Sequence, residues 1–197
     1  MPIRQVLEAE LARAEINLSV ESIAGLSMYG DELERWSPRV NLTALQGHDL
    51  ARRLIVEPIR IGQELGLSGV LADIGSGNGS PAIPLCLTRP FKAVHLIEAR
   101  ARRAAFLRHI VGVLGLTYVR VHKTRTESMD RLPDAVDWTT LQAVAPTAEL
   151  LGDLRRIAGQ STKIVWITSQ KSPPVPAEHL VLPASEAEAW IFRLDQS

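Results

Sequence analysis

Apolar residues in the first third of the chain recur at helical intervals. Ile23, Leu26, Tyr29, Leu33 and Trp36 follow one another at spacings of 3, 3, 4 and 3, a single stripe on a helix that Ser19 can cap. Val6, Leu7 and Leu11 predict a shorter helix before it. Pro38 and Asn41-Leu42-Thr43 predict a break, and a third helical stretch runs from about 49 to 65, with Pro58 expected to kink or divide it. From Gly69 short apolar runs alternate with amphipathic stretches, the pattern of an α/β sheet. Strands are expected at 70–74, 93–98, 118–122, 134–140, 163–168 and 188–194, the last as an antiparallel partner. Leu107, Ile110, Val111 and Leu114 predict one covering helix; Leu150, Leu151, Leu154 and Ile157 predict another, opened by Pro146. The change of pattern divides the chain into a helical cap, 1–66, and an α/β core, 67–197.

Composition narrows the class. The 197 residues are 46% hydrophobic and 22% charged, which excludes disorder, collagen and coiled coil. The first residues mix acids and bases, and no segment approaches the ~18 apolar residues of a membrane span, so a cytoplasmic protein without a membrane partner is expected. One cysteine, Cys86, sits in an apolar run, so neither a disulfide nor a metal site is expected, and it reads as a core residue. The five histidines are scattered and suggest no nucleophilic triad. Nothing points to an oligomer, and a monomer is expected.

Charge changes the picture more. The 22 basic and 22 acidic residues cancel, but residues 1–34 carry 2 bases and 7 acids, whereas residues 99–125 carry 7 bases and no acid. Arg100, Arg102, Arg103 and Arg125 in that block, with Arg35, Arg39, Arg52 and Arg53 on the cap, are the candidates for holding nucleic-acid phosphates.

The candidate ligand loop is Val70 to Pro81. An apolar strand ends at Asp73, the turn Gly75-Ser76-Gly77-Asn78-Gly79 follows, and Ser80 with Pro81 can open a helix. Ser80 stands where a dinucleotide fingerprint needs its third glycine or alanine, and no Gly-Lys-Ser/Thr follows as in a P-loop. A pyrophosphate guest is therefore disfavoured. Glu98, at the end of the second strand, is placed to accept hydrogen bonds from ribose hydroxyls, and Asp73 could hold a cationic amine. A ligand with adenosine, ribose and an amino-acid end fits best: S-adenosylmethionine.

The run LADIGSGNGSPAIPL followed by LIEARARRAAFLRHIVGVLGL, with Trp36 and Asn41-Leu42-Thr43 upstream, resembles the bacterial small-subunit (16S) ribosomal RNA guanine-N7 methyltransferases known as RsmG or GidB. The similarity extends from about Tyr29 to Leu194. It implies a class I S-adenosylmethionine-dependent methyltransferase: a Rossmann-like, mostly parallel seven-stranded α/β sheet with an N-terminal helical extension. It places cofactor contacts on Gly75, Ser80, Thr126, Glu127 and Gln142; with the loop reading, the set is Asp73, Gly75, Ser76, Gly77, Gly79, Ser80, Glu98, Ala99, Thr126, Glu127 and Gln142. The chain departs from the family pattern at Ser80, at Ala82, at Glu98-Ala99 for Asp-Ser, and at Arg53 for histidine. It departs again at Leu141-Gln142-Ala143 for Ser-Arg-Ala, and at Thr168-Ser169-Gln170 for Leu-Lys-Gly, with Lys171 two positions further on.

The resemblance implies N7-methylation of a guanine in 16S ribosomal RNA, free or in the 30S subunit. No catalytic residue is expected, because N7 has a free lone pair and loses no proton. The alternatives are an S-adenosylmethionine-binding or ribosome-associated RNA-binding protein without turnover and, from a different class, an NAD-dependent oxidoreductase, which Ser80 disfavours.

Overall fold

The computed structural model describes residues 2–168, 176–181 and 188–194. Helices α1 (Ile3–Arg13) and α2 (Val20–Val40) come first, and Ser19 Oγ accepts the Ser22 N–H at 3.1 Å as the N-cap of α2. Helix α2 does not break at Pro38, as its sequence suggested. The amide that proline lacks would have bonded Glu34 in the last turn, where one lost bond costs little, and the helix ends at Asn41 in the left-handed conformation (φ 54°). The third stretch divides as expected, but before Pro58: α3 (Gly47–Ala51) passes through a π turn, Arg52–Val56, into α4 (Glu57–Glu64). Proline is thereby placed in the first turn of α4, directly after the π turn.

The core is a seven-stranded sheet in the order β3-β2-β1-β4-β5-β7-β6. Strands β1 (Gly69–Ile74), β2 (Phe91–Ile97), β3 (Val119–His122), β4 (Trp138–Gln142) and β5 (Lys163–Thr168) are parallel. Strand β7 (Glu188–Arg193) runs antiparallel to β5, as expected for the final strand, and β6 (Glu178–Leu180) pairs with β7. The polar Glu178-His179-Leu180 gave no strand signal; its pairing with β7 makes it one. Strand β4 starts four residues later than its apolar pattern predicts. Asp137 ends the preceding loop by accepting the Val70 N–H on Oδ2 (2.7 Å), and the strand continues through Thr139 and Thr140. Both threonines are fully buried because their hydroxyls have partners: Thr139 Oγ1 lies 3.1 Å from Thr162 Oγ1, and Thr140 donates to Asp73 Oδ1 at 2.6 Å.

Alternate strand residues feed two apolar layers. Leu71, Val94, Leu96, Val165 and Ile167 pack with Leu7, Leu26, Tyr29 and Ile55 of the N-terminal helices, with Ile83 of α5 (Ala82–Cys86), and with Phe106 and Leu107 of α6 (Ala101–Val113). Ala72, Ile74, Ile97, Ile164 and Trp166 face Leu151, Leu154 and Ile157 of α7 (Ala148–Ala158) on the other side. The cap and one face of the sheet thus share a single core. Thr147, not Pro146, caps α7, accepting the Leu150 N–H at 3.3 Å. Cys86 is buried, as expected, and burial raises its thiol pKa. Among the described residues no helix is long and apolar enough to cross a membrane, and no cluster of metal-ligating side chains occurs.

One buried polar group joins β2 to the edge strand β3. His95 on β2 is fully enclosed, with Nδ1 3.0 Å from His122 Nε2 and Nε2 3.1 Å from Asp134 Oδ2. Burial holds the His95 and His122 pKa values below the ordinary 6.5; Asp134 opposes the shift at His95, while Arg120 adds to it. The unfolded chain takes up these protons first, so this contribution to stability is present above pH ~6.5 and is lost as pH falls below it. Urea titrations from pH 8 to pH 5 should show falling stability, and His95→Gln should flatten the fall.

Candidate functional site

Strand order reverses between β1 and β4, and it is at the carboxyl ends of such strands that open α/β sheets bind ligands. A cavity of about 740 Å³ opens there. Its floor is the turn after β1. Gly75 and Gly77 have φ of 69° and 48°, a region that side-chain-bearing residues adopt at a cost, and a Cβ on Gly75 would sit 2.9 Å from Val144 Cγ2. Bare backbone therefore faces the cavity at these two positions.

The turn is fixed to the end of β2. Ile97 O accepts the Gly75 and Ser76 amides at 2.9 and 3.1 Å, and Glu98 Oε2 accepts the Gly77 amide at 3.0 Å. Glu98 Oε1 accepts the Arg100 amide at 2.7 Å, so one buried carboxylate holds both the glycine turn and the start of α6. Its remaining lone pairs are available to hydroxyl donors in the cavity it lines. Beneath the turn, burial raises the Asp73 pKa to about 7; Thr140 bonds Oδ1, and Oδ2 has no partner.

The sequence expectations separate here. Gly75, Ser76, Gly77, Ser80, Glu98 and Gln142 line the cavity together with Arg53, Arg100 and Arg103. Asp73 lies behind the lining, 1% exposed. Gly79 is a packing glycine: its Cβ would sit 2.8 Å from Ile83 Cγ1 and 3.5 Å from Tyr29 Cε2. Ser80 is not the N-cap its sequence suggested; Pro81 takes that place, and the buried Ser80 Oγ has no hydrogen-bond partner. Ala99, Thr126 and Glu127 lie outside the lining, Thr126 and Glu127 in a 3-10 turn where Glu127 pairs with Arg125. Of the remaining arginines, Arg35 pairs with Glu32 and Arg52 with Asp49, while Arg39 and Arg102 face solvent. Ser169, Gln170 and Lys171 lie outside the described residues.

The structure adds lining residues that the sequence did not flag. Leu42, Leu45, Leu54 and Glu57 enclose the cavity from the cap, and Asn78, Val144 and Trp166 from the core. Trp166 Nε1 donates to Val144 O at 2.9 Å and holds the loop after β4, in which Ala143 adopts a left-handed φ of 56°. The only sequence signal was for Leu42 and Leu45, in or beside Asn41-Leu42-Thr43; Leu54 and Glu57 carried none.

The donor set fits S-adenosylmethionine. Gln142 Oε1 is a buried acceptor without a partner, Ser80 Oγ is another unpartnered oxygen, and Glu98 adds an anionic acceptor. These acceptors suit amine and hydroxyl donors on the ligand. The strand order, the glycine turn and the carboxylate after β2 define a class I S-adenosylmethionine-dependent methyltransferase.

A family model described as rRNA small subunit methyltransferase G (GidB) matches residues 22–174, and the chain belongs to that family. It is similar to ribosomal RNA small subunit methyltransferase G of Halorhodospira halophila, 32% identical over 94% of this chain and 87% of the relative. The Roseiflexus protein of the same name is 37% identical over 68% of this chain, a match spanning 60% of that relative's length. Among solved structures, a mutant of MtNAS in complex with S-adenosylmethionine has the same fold, with a TM-score of 0.62 and 16% identity over 97% of this chain and 88% of that one.

The Asp73–Thr140 bond yields a prediction. Thr140→Val keeps the shape but leaves a buried carboxyl without its side-chain donor, which should destabilise the protein by about 1–3 kcal/mol. It should also move the Asp73 carboxyl above its pKa of about 7, read by carbon-detected NMR titration.

Proposed function

We propose that this chain transfers the methyl group of S-adenosylmethionine to N7 of a guanine in small-subunit (16S) ribosomal RNA. One observation carries the reading. At the reversal of strand order, a single cavity joins a glycine turn, the Glu98 carboxylate and the unpartnered Gln142 Oε1 to three arginines, Arg53, Arg100 and Arg103. The first set suits a cofactor rich in donors, the second a phosphate backbone.

The bound cofactor supplies an electrophilic sulfonium methyl. Gly75 and Gly77 let the ligand approach the backbone, Glu98 accepts from its ribose hydroxyls, and Gln142 Oε1 accepts from an N–H or O–H of the ligand. Guanine N7 carries an in-plane lone pair and loses no proton, so the reaction needs no general base. What the chain contributes is position and enclosure, which in favourable cases lower a barrier by ~7–11 kcal/mol. Leu42, Leu45 and Leu54 line the cap side with apolar surface against which a base can lie. Gln142 cannot supply the fixed charge of the arginine expected there, and Arg53, Arg100 and Arg103 provide charge elsewhere in the lining.

Calorimetry with S-adenosylmethionine should show one site per chain; no binding at millimolar ligand would overturn the reading. Undermethylated 30S subunits incubated with protein and labelled cofactor should take label on a guanine, located by nuclease digestion and mass spectrometry. Binding without transfer would instead mark a protein that keeps the site but has lost turnover.

The arginines make a separate prediction. Changing Arg53, Arg100 and Arg103 together to Gln should weaken RNA binding at low salt. It should also reduce the slope of log K against log salt by about 0.7 for each phosphate that is no longer neutralised. An unchanged slope would place the RNA elsewhere.

A further inference from the structure

A second cavity, of about 310 Å³, lies beside the first. Glu34, Ser37 and Pro38 line it from the end of α2, and Thr43, Leu45 and Gln46 from the following loop. Leu45 also lines the larger cavity, so the two spaces adjoin across one apolar side chain. We propose that the smaller cavity is the base-recognition subsite: it holds the Watson–Crick edge of the target guanine, through Glu34, while N7 faces the larger cavity. The inference rests on the methyl-transfer reading above and names the residue that selects the base.

The chemistry of Glu34 singles out one base. Among the described residues its carboxylate makes no hydrogen bond or ion pair, and Glu34 is solvent-exposed and lines this cavity, so its oxygens are open acceptors for a ligand there. Guanine alone among the RNA bases presents two adjacent donors, N1–H and the N2 amine, with no lone pair between them. Adenine and cytosine place a ring-nitrogen lone pair beside their amine, which a carboxylate repels. Uracil offers one N–H between two carbonyls. A carboxylate meeting this edge with both oxygens is therefore a guanine selector, and charge strengthens the two bonds.

The other groups complete the match. Thr43 Oγ1 accepts the Leu45 amide at 3.0 Å, which leaves its hydrogen to donate to guanine O6, and the Gln46 amide can do the same. Ser37 Oγ donates to Leu33 O at 2.7 Å, so toward the cavity it offers only lone pairs, suited to the second N2 hydrogen. The volume is at the small end of ligand pockets, enough for one base. N7 lies on the opposite edge of the purine from N1 and N2. Holding one edge in the small cavity sends the other across Leu45 toward the cofactor space.

Glu34→Gln replaces one acceptor with a donor that opposes N1–H or the N2 amine. With undermethylated 30S subunits and labelled cofactor, it should lose about 10- to 100-fold in kcat/KM, carried mainly by KM, while Glu34→Asp should retain more than the Gln variant. Affinity for S-adenosylmethionine and Tm should not change, because Glu34 touches neither the larger cavity nor the core. A Glu34→Gln enzyme with wild-type KM would overturn the subsite while leaving methyl transfer intact. A wild-type protein that transfers no label would overturn the underlying reading and the subsite with it.

Discussion

The site depends on the clamp between the ends of β1 and β2. Backbone amides of Gly75, Ser76 and Gly77 point at acceptors supplied by Ile97 and Glu98, so the turn is held to the neighbouring strand as well as by its own Ser76 and Asn78 hydrogen bonds. Glycine permits the turn, because left-handed φ values at Gly75 and Gly77 would strain any other residue. The acceptors then select this shape among the many that glycine allows. Because Glu98 also receives the Arg100 amide, the clamp sets where α6 begins, and with it the position of Arg103. The glycine turn and the arginines at the start of α6 are thus placed by the same carboxylate.

The cap is joined to this turn by packing and by a few polar contacts. Tyr29, fully buried on α2, donates to Asn78 O at 3.1 Å, and Gly79 leaves room for the Tyr29 ring beside Ile83 and Leu107. Arg103 Nη2 donates to Asn41 O at 3.0 Å across the cavity edge. On the outer side, Glu32 Oε2 gathers Trp36 Nε1 (3.0 Å), His109 Nε2 (2.7 Å) and Arg35 (3.0 Å), tying α2 to α6. These contacts sit on a shared apolar layer, so the cap that encloses the ligand space is held by the core of the sheet.

Charge illustrates what folding does to a sequence-level inference. The neutral total hides a basic block, and the block itself does not act as one surface. Arg120 approaches Asp134, Arg125 pairs with Glu127, and on the cap Arg35 and Arg52 pair with Glu32 and Asp49. Exposed pairs of this kind contribute little stability, but they lower the local positive field. Three arginines meet at the cavity, Arg53 from the cap and Arg100 and Arg103 from the start of α6.

Apolar periodicity and turn residues determined much of the architecture: the helical first third, the alternating core, the final strand and the glycine turn after the first strand. These signals are local, since apolar spacing follows the period of the element and turn residues follow backbone φ. They misplaced β4 and missed β6, because buried threonines and an exposed polar strand are defined by their neighbours and carry no period of their own. Ser80 read as a cap for the same reason: its role depends on how the chain enters α5. Only the tertiary structure decided which arginines share a space, that Asp73 lies behind the cavity, and that Leu45 lines two adjoining cavities. Such facts are distances between residues far apart in sequence, and they exist only once the sheet order and the packing of the cap are set.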